Sequence, residues 1–193
     1  MPFEGRNLNQ VSTTFRSHLN RLLSHTITRR PVVVFLPKQD EVVRISFRQG
    51  GGPSTATIQA RFGPMELFLG QMCDVIDGEH ERVQLRTRSY RYSIMPQGAT
   101  EPLFRWEYER FPSAGSYWCQ HHLQGPIDLD VGRGSTISLN DLHLPTGPVP
   151  IEDVIRFLIV DLGVPPLDTS VDDDGVSGWH RRLVESASIR SSE

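Results

Sequence analysis

Hydrophobic positions in the first third of the chain predict one helix followed by a series of strands. Over residues 8–26 the apolar side chains recur every three or four positions, as on the buried face of an amphipathic helix. Residues 32–36 form a compact, β-branched run, and residues 41–48 alternate between apolar and polar. This pattern predicts a hairpin with a turn at residues 37–40. Residues 54–62 predict a further strand.

The middle of the chain predicts a short helix and then a three-stranded antiparallel meander. Four apolar residues at helical spacing indicate a helix at about residues 65–76. Three β-rich stretches follow, at residues 86–95, 103–111 and 117–124, and residues typical of turns separate them. Strands at such short spacing pair as antiparallel neighbours.

The last quarter of the chain predicts one strong helix and a tail. Residues 151–162 carry an apolar stripe, acids fall in the first turn, and Gly163 follows the last periodic position. Residues 168–193 are acidic and serine-rich without a sustained stripe, so we expect a mobile tail. The prediction is therefore one α+β domain over residues 1–167, in which about three helices pack on one face of an antiparallel sheet.

Composition limits the class of protein but does not define its activity. The chain has 193 residues, of which 37% are hydrophobic, which is enough for one core. It contains neither an apolar run of membrane-spanning length nor the apolar region of a signal peptide, and its two cysteines give no disulfide framework. We expect a cytoplasmic protein without a membrane partner. The net charge of −3 does not favour general nucleic-acid binding.

Side-chain alternation sorts the candidate functional residues onto two faces of the meander. On the second strand, Phe104, Trp106 and Tyr108 share one face. Arg105 and Glu107 share the other. The adjacent residues His121 and His122 on the third strand must point in opposite directions. The sequence leaves open which of these two histidines joins Arg105 and Glu107, because that depends on the strand register.

These residue types are sufficient for metal-independent cleavage of RNA, for which we expect no cofactor. The reaction needs a base for the 2′-hydroxyl, an acid for the leaving oxygen and a cation beside the phosphate. We take Arg105, Glu107, His121 and His122 as catalytic candidates, with His143 as a further histidine. Tyr90 and Tyr92 are candidate substrate-binding residues, since aromatic rings stack on unpaired bases.

Each candidate also has a purely structural explanation, and two other chemistries are weaker alternatives. The tyrosines fit ordinary sheet packing, Arg105 and Glu107 fit a cross-strand ion pair, and the histidines fit a polar surface. A zinc site would combine His121 or His122 with His143 and an aspartate, Asp128 or Asp141, but no HxH or HExxH spacing is present. A Cys119–His nucleophile lacks the glycine elbow or helix start that would activate it.

Four segments resemble TumE-type toxins of bacterial toxin–antitoxin pairs. They are Tyr90-Arg91-Tyr92, Phe104-Arg105-Trp106-Glu107, His121-His122 and the helix at 151–162. The resemblance covers roughly residues 85–167 and leaves residues 1–80 unexplained. It implies a small α+β domain, ribonuclease activity on RNA and an antitoxin-like partner. The family's histidine strand tends to carry His-x-His, whereas this chain has His122-Leu123-Gln124.

Two functions therefore remain as hypotheses. The first is an intracellular bacterial ribonuclease related to these toxins. The second is a non-catalytic protein-interaction module that keeps only the toxin-like scaffold. Convergence of Arg105, Glu107 and one histidine within about 8 Å in a concave pocket would favour the enzyme, since catalysis requires convergent groups.

Overall fold

The computed structural model describes residues 3–36, 42–49, 52–112 and 120–190. Its architecture is α+β with a large antiparallel sheet, as the sequence predicts, and it contains three α-helices in the described residues. The predicted turn at residues 37–40 and the candidate nucleophile Cys119 lie outside the described residues. No helix within the described ranges combines the length and apolar character needed to cross a membrane.

Eleven strands and three helices follow one another along the described chain. The helices are α1 (Leu8–Thr26), α2 (Ile151–Val160) and α3 (Gly178–Arg190). The strands are β1 (Glu4–Gly5), β2 (Val32–Phe35), β3 (Val42–Gln49), β4 (Gly52–Ala60), β5 (Gly63–Asp77), β6 (Val83–Pro96), β7 (Phe104–Glu109), β8 (His121–Gln124), β9 (Asp128–Asp130), β10 (Thr136–Ser138) and β11 (Leu144–Pro145).

Nine of these strands form one antiparallel sheet. Their order is β11-β8-β7-β6-β5-β4-β3-β2, and β1 pairs with the start of β6. The predicted hairpin is confirmed as β2–β3, and the predicted meander is confirmed as β6–β7–β8 over its described residues. β9 and β10 form a separate two-stranded ribbon. The long β5–β6 pair lies at the centre of the sheet.

The predicted helix at residues 65–76 is wrong, because this segment belongs to β5. Its apolar residues fit two periods at once: Phe68, Met72 and Val75 have helical spacing, whereas Met65, Leu67 and Leu69 alternate. Long-range pairing decides between them, since β5 is hydrogen-bonded to β6 on one side and to β4 and β3 on the other. Met65, Leu67 and Leu69 are accordingly buried under the helices.

Helices α1 and α2 form as predicted and cover the same face of the sheet. Asn7 caps α1, since its side chain accepts a hydrogen bond from the backbone N–H of Gln10 at 2.9 Å. The apolar stripes of both helices enter one hydrophobic core. Gly163 follows α2 with a φ of +68°, a conformation that favours glycine at a helix end.

The described part of residues 168–193, which the sequence predicts to be a mobile tail, contains α3. This helix packs on α1 and α2, and Leu183 enters the hydrophobic core. A buried polar chain adds to the docking: His18 Nε2 lies 2.8 Å from Ser186 Oγ, and Ser186 donates to the buried carboxylate of Glu152. Trp179 is partly buried and also packs against the core.

We expect Leu158→Ala to lower the free energy of unfolding by about 2–5 kcal/mol, because it leaves a cavity in the core. Leu158 is fully buried, whereas Val160 on the same helix is 56% exposed. Val160→Ala is therefore the control and should change stability by only about 0.5 kcal/mol. Urea denaturation measures both, and similar effects of the two substitutions would contradict the burial of the α2 stripe.

Ser186→Ala should destabilise the fold by about 1–3 kcal/mol, because it removes a hydrogen bond to the buried Glu152 carboxylate. Ser188 lies on the exposed side of the same helix, so Ser188→Ala is the matched control. Thermal unfolding followed by circular dichroism compares the two variants. An unchanged melting temperature for Ser186→Ala would show that α3 contributes little to the folded state.

Candidate active site

The face of the sheet opposite the helices contains a groove of about 740 Å³. One wall is formed by β6, β7 and β8, and the floor continues across β5 to β3 and β2. Arg105, Glu107, His122 and His143 all line it. The floor includes two small residues, Ser46 and Gly70.

The β7–β8 register settles which histidine joins the groove. Glu107 lies opposite His122, and Arg105 lies opposite Gln124. Residues directly opposite in an antiparallel pair point to the same face. His122 therefore shares the groove with Arg105 and Glu107.

The Glu107 carboxylate is the centre of the groove cluster, which we define as Arg91, Arg105, Glu107, His122, Gln124 and His143. Glu107 Oε1 accepts a hydrogen bond from Arg91 Nε. Its other oxygen, Oε2, lies 3.2 Å from Arg105 Nε and 3.4 Å from His122 Nε2. The Arg105 contact is an ion pair that lacks the alignment of a hydrogen bond. One carboxylate thus joins two guanidinium groups and an imidazole.

Gln124 connects the ionic part of the groove cluster to His143. Its Oε1 accepts a hydrogen bond from Arg105 Nη2, so its amide nitrogen points toward Asn140 and His143. Gln124 Nε2 then donates to the carbonyl of Asn140 at 3.2 Å and lies 3.1 Å from His143 Nε2. With the amide held in this orientation, His143 Nε2 is the acceptor. The pKa of His143 is lowered, mainly because the side chain is buried and also because of the charge interaction with His122. Glu107 acts in the opposite direction but does not offset this decrease.

Three predicted site residues, Tyr90, Tyr92 and His121, alternate with the groove cluster and belong to the opposite face, although Tyr90 also borders the groove. The His121 ring stacks on Tyr108 with 4.3 Å between centroids, and His121 Nδ1 lies 3.1 Å from the Tyr90 hydroxyl. Tyr90 also accepts a hydrogen bond from the backbone N–H of Val149 at 2.9 Å. Burial raises the pKa of Tyr90 and lowers that of His121. Both groups line a cavity on this face together with Val149 and Ile151.

The expected substrate contact of Tyr92 conflicts with its burial. Tyr92 as a residue is 2% exposed, and its ring stacks on that of Tyr90 with centroids 4.7 Å apart. Stacking on a nucleobase requires an open ring face, which Tyr92 lacks. Alternation explains this placement, because Tyr90 and Tyr92 pair across strands with Tyr108 and Trp106, whose rings belong to the helix-covered face.

The described residues contain neither a reactive cysteine nor a metal-binding cluster. Cys73 is buried, and this burial raises the pKa of its thiol to about 12. Such a thiol carries almost no thiolate at neutral pH, and the thiolate is the nucleophilic form. Within the ranges that the structure describes, no group of three or more His, Cys, Asp or Glu side chains is arranged to hold a metal ion.

Sequence reasoning missed Arg91, Gln124 and the groove floor as parts of the site. Arg91 lies between Tyr90 and Tyr92, so strict alternation places it on the Glu107 face, and this signal was present in the sequence. Gln124 stands out only as a departure from His-x-His. The floor was hidden because residues 65–76 were interpreted as a helix.

Comparisons with protein-family models, with curated proteins and with solved structures found no match for this chain.

We expect the pKa of His143 to lie below 6.5, the ordinary value, because burial disfavours its charged form. Glu107→Gln should lower this pKa further, because it removes a negative charge that favours protonation. Imidazole ¹⁵N shifts measured across a pH titration give the value. Glu109→Gln, on the same strand and groove face, is the control and should have the smaller effect. A rise of the His143 pKa in Glu107→Gln would contradict this electrostatic assignment.

Proposed function

We propose that this protein is a metal-independent ribonuclease whose active site is the groove cluster. The observation that carries the proposal is the Glu107 carboxylate, which meets both Arg105 and His122 within 3.4 Å on one wall of an open groove. A carboxylate, an imidazole and a guanidinium supply the base, acid and cation that cleavage by a 2′-hydroxyl needs. The TumE-like segments of the sequence support the same class of activity.

Each group has a defined part in the proposed reaction. Glu107 accepts the proton of the 2′-hydroxyl, whose oxygen attacks the adjacent phosphorus. The bond from phosphorus to the 5′-oxygen then breaks, and His122 donates a proton to that leaving oxygen. The products are a 2′,3′-cyclic phosphate and a free 5′-hydroxyl. Arg91 and Arg105 are each paired with a different oxygen of Glu107, and they stabilise the charge that develops on the phosphoryl oxygens.

His143 and Gln124 act as positioning residues in this scheme. Gln124 fixes the Arg105 guanidinium through its Oε1 and meets His143 through its amide nitrogen. The second position of the His-x-His pattern thus holds a side chain that orients a cation and does not transfer a proton. This arrangement explains how the site keeps its organisation with glutamine at residue 124.

The interaction module is the second candidate, and the ion pairs of Glu107 favour it. Glu107 meets two arginines, so part of the cationic surface that would hold phosphate is already neutralised within the protein. A groove that presents both arginines and carboxylates also suits a polypeptide partner, for which an antitoxin-like protein is the proposed class. The two functions differ in one observable, which is the fate of RNA.

His122→Ala should reduce RNA cleavage by about 100-fold or more, the usual contribution of general acid–base catalysis. His121→Ala is the matched control, because this neighbouring histidine lies on the opposite face and should leave cleavage near the wild-type rate. Purified proteins are incubated with a labelled single-stranded RNA in the presence of a chelator, and circular dichroism confirms that both variants are folded. If RNA stays intact at every concentration of the wild-type protein, the ribonuclease hypothesis is contradicted and the interaction-module hypothesis is favoured.

A further inference from the structure

The groove extends well beyond the groove cluster, onto a part of the sheet that the proposed chemistry does not use. Gly70 on β5 lies in the same cross-strand row as Arg91, Glu107 and His122. Three strand spacings separate Gly70 from His122, which is about 14 Å along the sheet. A mononucleotide at His122 would leave this floor empty, whereas a longer strand would cross it.

An aromatic ring forms the surface of this floor. Phe68 lines the groove and is only partly buried. A Cβ on residue 70 would lie 2.9 Å from Phe68 Cε1, so the Phe68 ring occupies the space that a side chain at Gly70 would take. The absence of a side chain at residue 70 thus allows the ring to lie across the groove floor. Phe35 also lines the groove, but the Arg48 guanidinium lies over its ring at 5.4 Å.

Two arginines on the strands beside β5 line the same groove as Phe68: Arg91 opposite Gly70 and Arg44 opposite Met72. Arg91 is the direct cross-strand partner of Gly70 on β6, and its side chain is 58% exposed. Arg44 on β3 is exposed and also lines the groove. The groove lining therefore holds three arginines, with Arg105, against the two carboxylates Glu107 and Glu109, although the whole chain has a net charge of −3. This combination of an aromatic ring and cations matches a base and its phosphates.

We propose that Phe68, held over Gly70, stacks on an unpaired nucleobase, and that the groove therefore selects single-stranded over double-stranded RNA. The inference rests on the proposed ribonuclease function and names its substrate class. A base in a duplex is already stacked on its neighbours and cannot offer a ring face to Phe68. An unpaired base near Phe68 would place its neighbouring phosphates beside Arg91 and lead the strand toward Glu107 and His122.

The test measures binding by the full chain carrying His122→Ala, in which the proposed cleavage is suppressed. Three fluorescent probes are compared by anisotropy: a short oligouridylate, an abasic oligomer with the same number of phosphates, and an RNA duplex. One aromatic stacking contact should make the oligouridylate bind roughly 5- to 100-fold more tightly than the abasic oligomer. The duplex should bind more weakly than the oligouridylate.

Substitutions in the groove floor test whether Phe68 causes the preference for the oligouridylate over the abasic oligomer. Phe68→Ala should remove the difference between oligouridylate and abasic oligomer, and Phe68→Tyr should keep it. Gly70→Ala should reduce it, because the added Cβ displaces the ring. Phe62→Ala is the matched control, since Phe62 is 68% exposed and does not line the groove.

The outcomes separate this inference from the function on which it rests. Equal affinity for the oligouridylate and the abasic oligomer, or a preference that survives Phe68→Ala, would overturn the stacking inference even if the wild type cleaves RNA. A Phe68-dependent preference in a protein that leaves RNA intact would support base stacking and overturn the ribonuclease. Absence of binding to all three probes would overturn both.

Discussion

Packing of the aromatic face of β7 is the constraint on which the candidate site depends. Phe104 and Trp106 meet Phe157 of α2 edge-on, with centroids 5.2 and 5.6 Å apart. Because side chains alternate along a strand, this contact forces Arg105 and Glu107 onto the opposite face. A slip of one residue would expose the aromatic rings and bury both charges, so the register is strongly specified. The hydrophobic core thereby positions the polar groove.

The same division of faces organises the histidines and tyrosines. Tyr90, Tyr92 and His121 form an aromatic layer under the helices, while His122 faces the groove. Adjacent residues of identical type thus have different environments and different proposed roles. His121 supports packing and meets the Tyr90 hydroxyl, whereas His122 meets the Glu107 carboxylate.

Local patterns were sufficient to predict the α+β class, helices α1 and α2, and the two faces of β7. They were insufficient where long-range pairing or a few contacts decide the structure. The apolar residues of β5 satisfy both helical and strand spacing, and only pairing with β4 and β6 selects the strand. Similarly, α3 docks through Trp179, Leu183 and a hydrogen bond from Ser186, and a contact set with so few apolar members does not show in the sequence that the helix meets the core. Which of His121 and His122 faces the groove depends on the β7–β8 register, and the sequence of one strand alone does not determine that register.

The central claim is that Glu107 and His122 act as one catalytic unit. A double-mutant cycle measures this directly, with RNA cleavage rates for Glu107→Gln, His122→Ala and the double variant. Residues that act together show strongly non-additive effects. We therefore expect the double variant to be about as slow as the slower single variant. Independent losses that multiply in the double variant would contradict it.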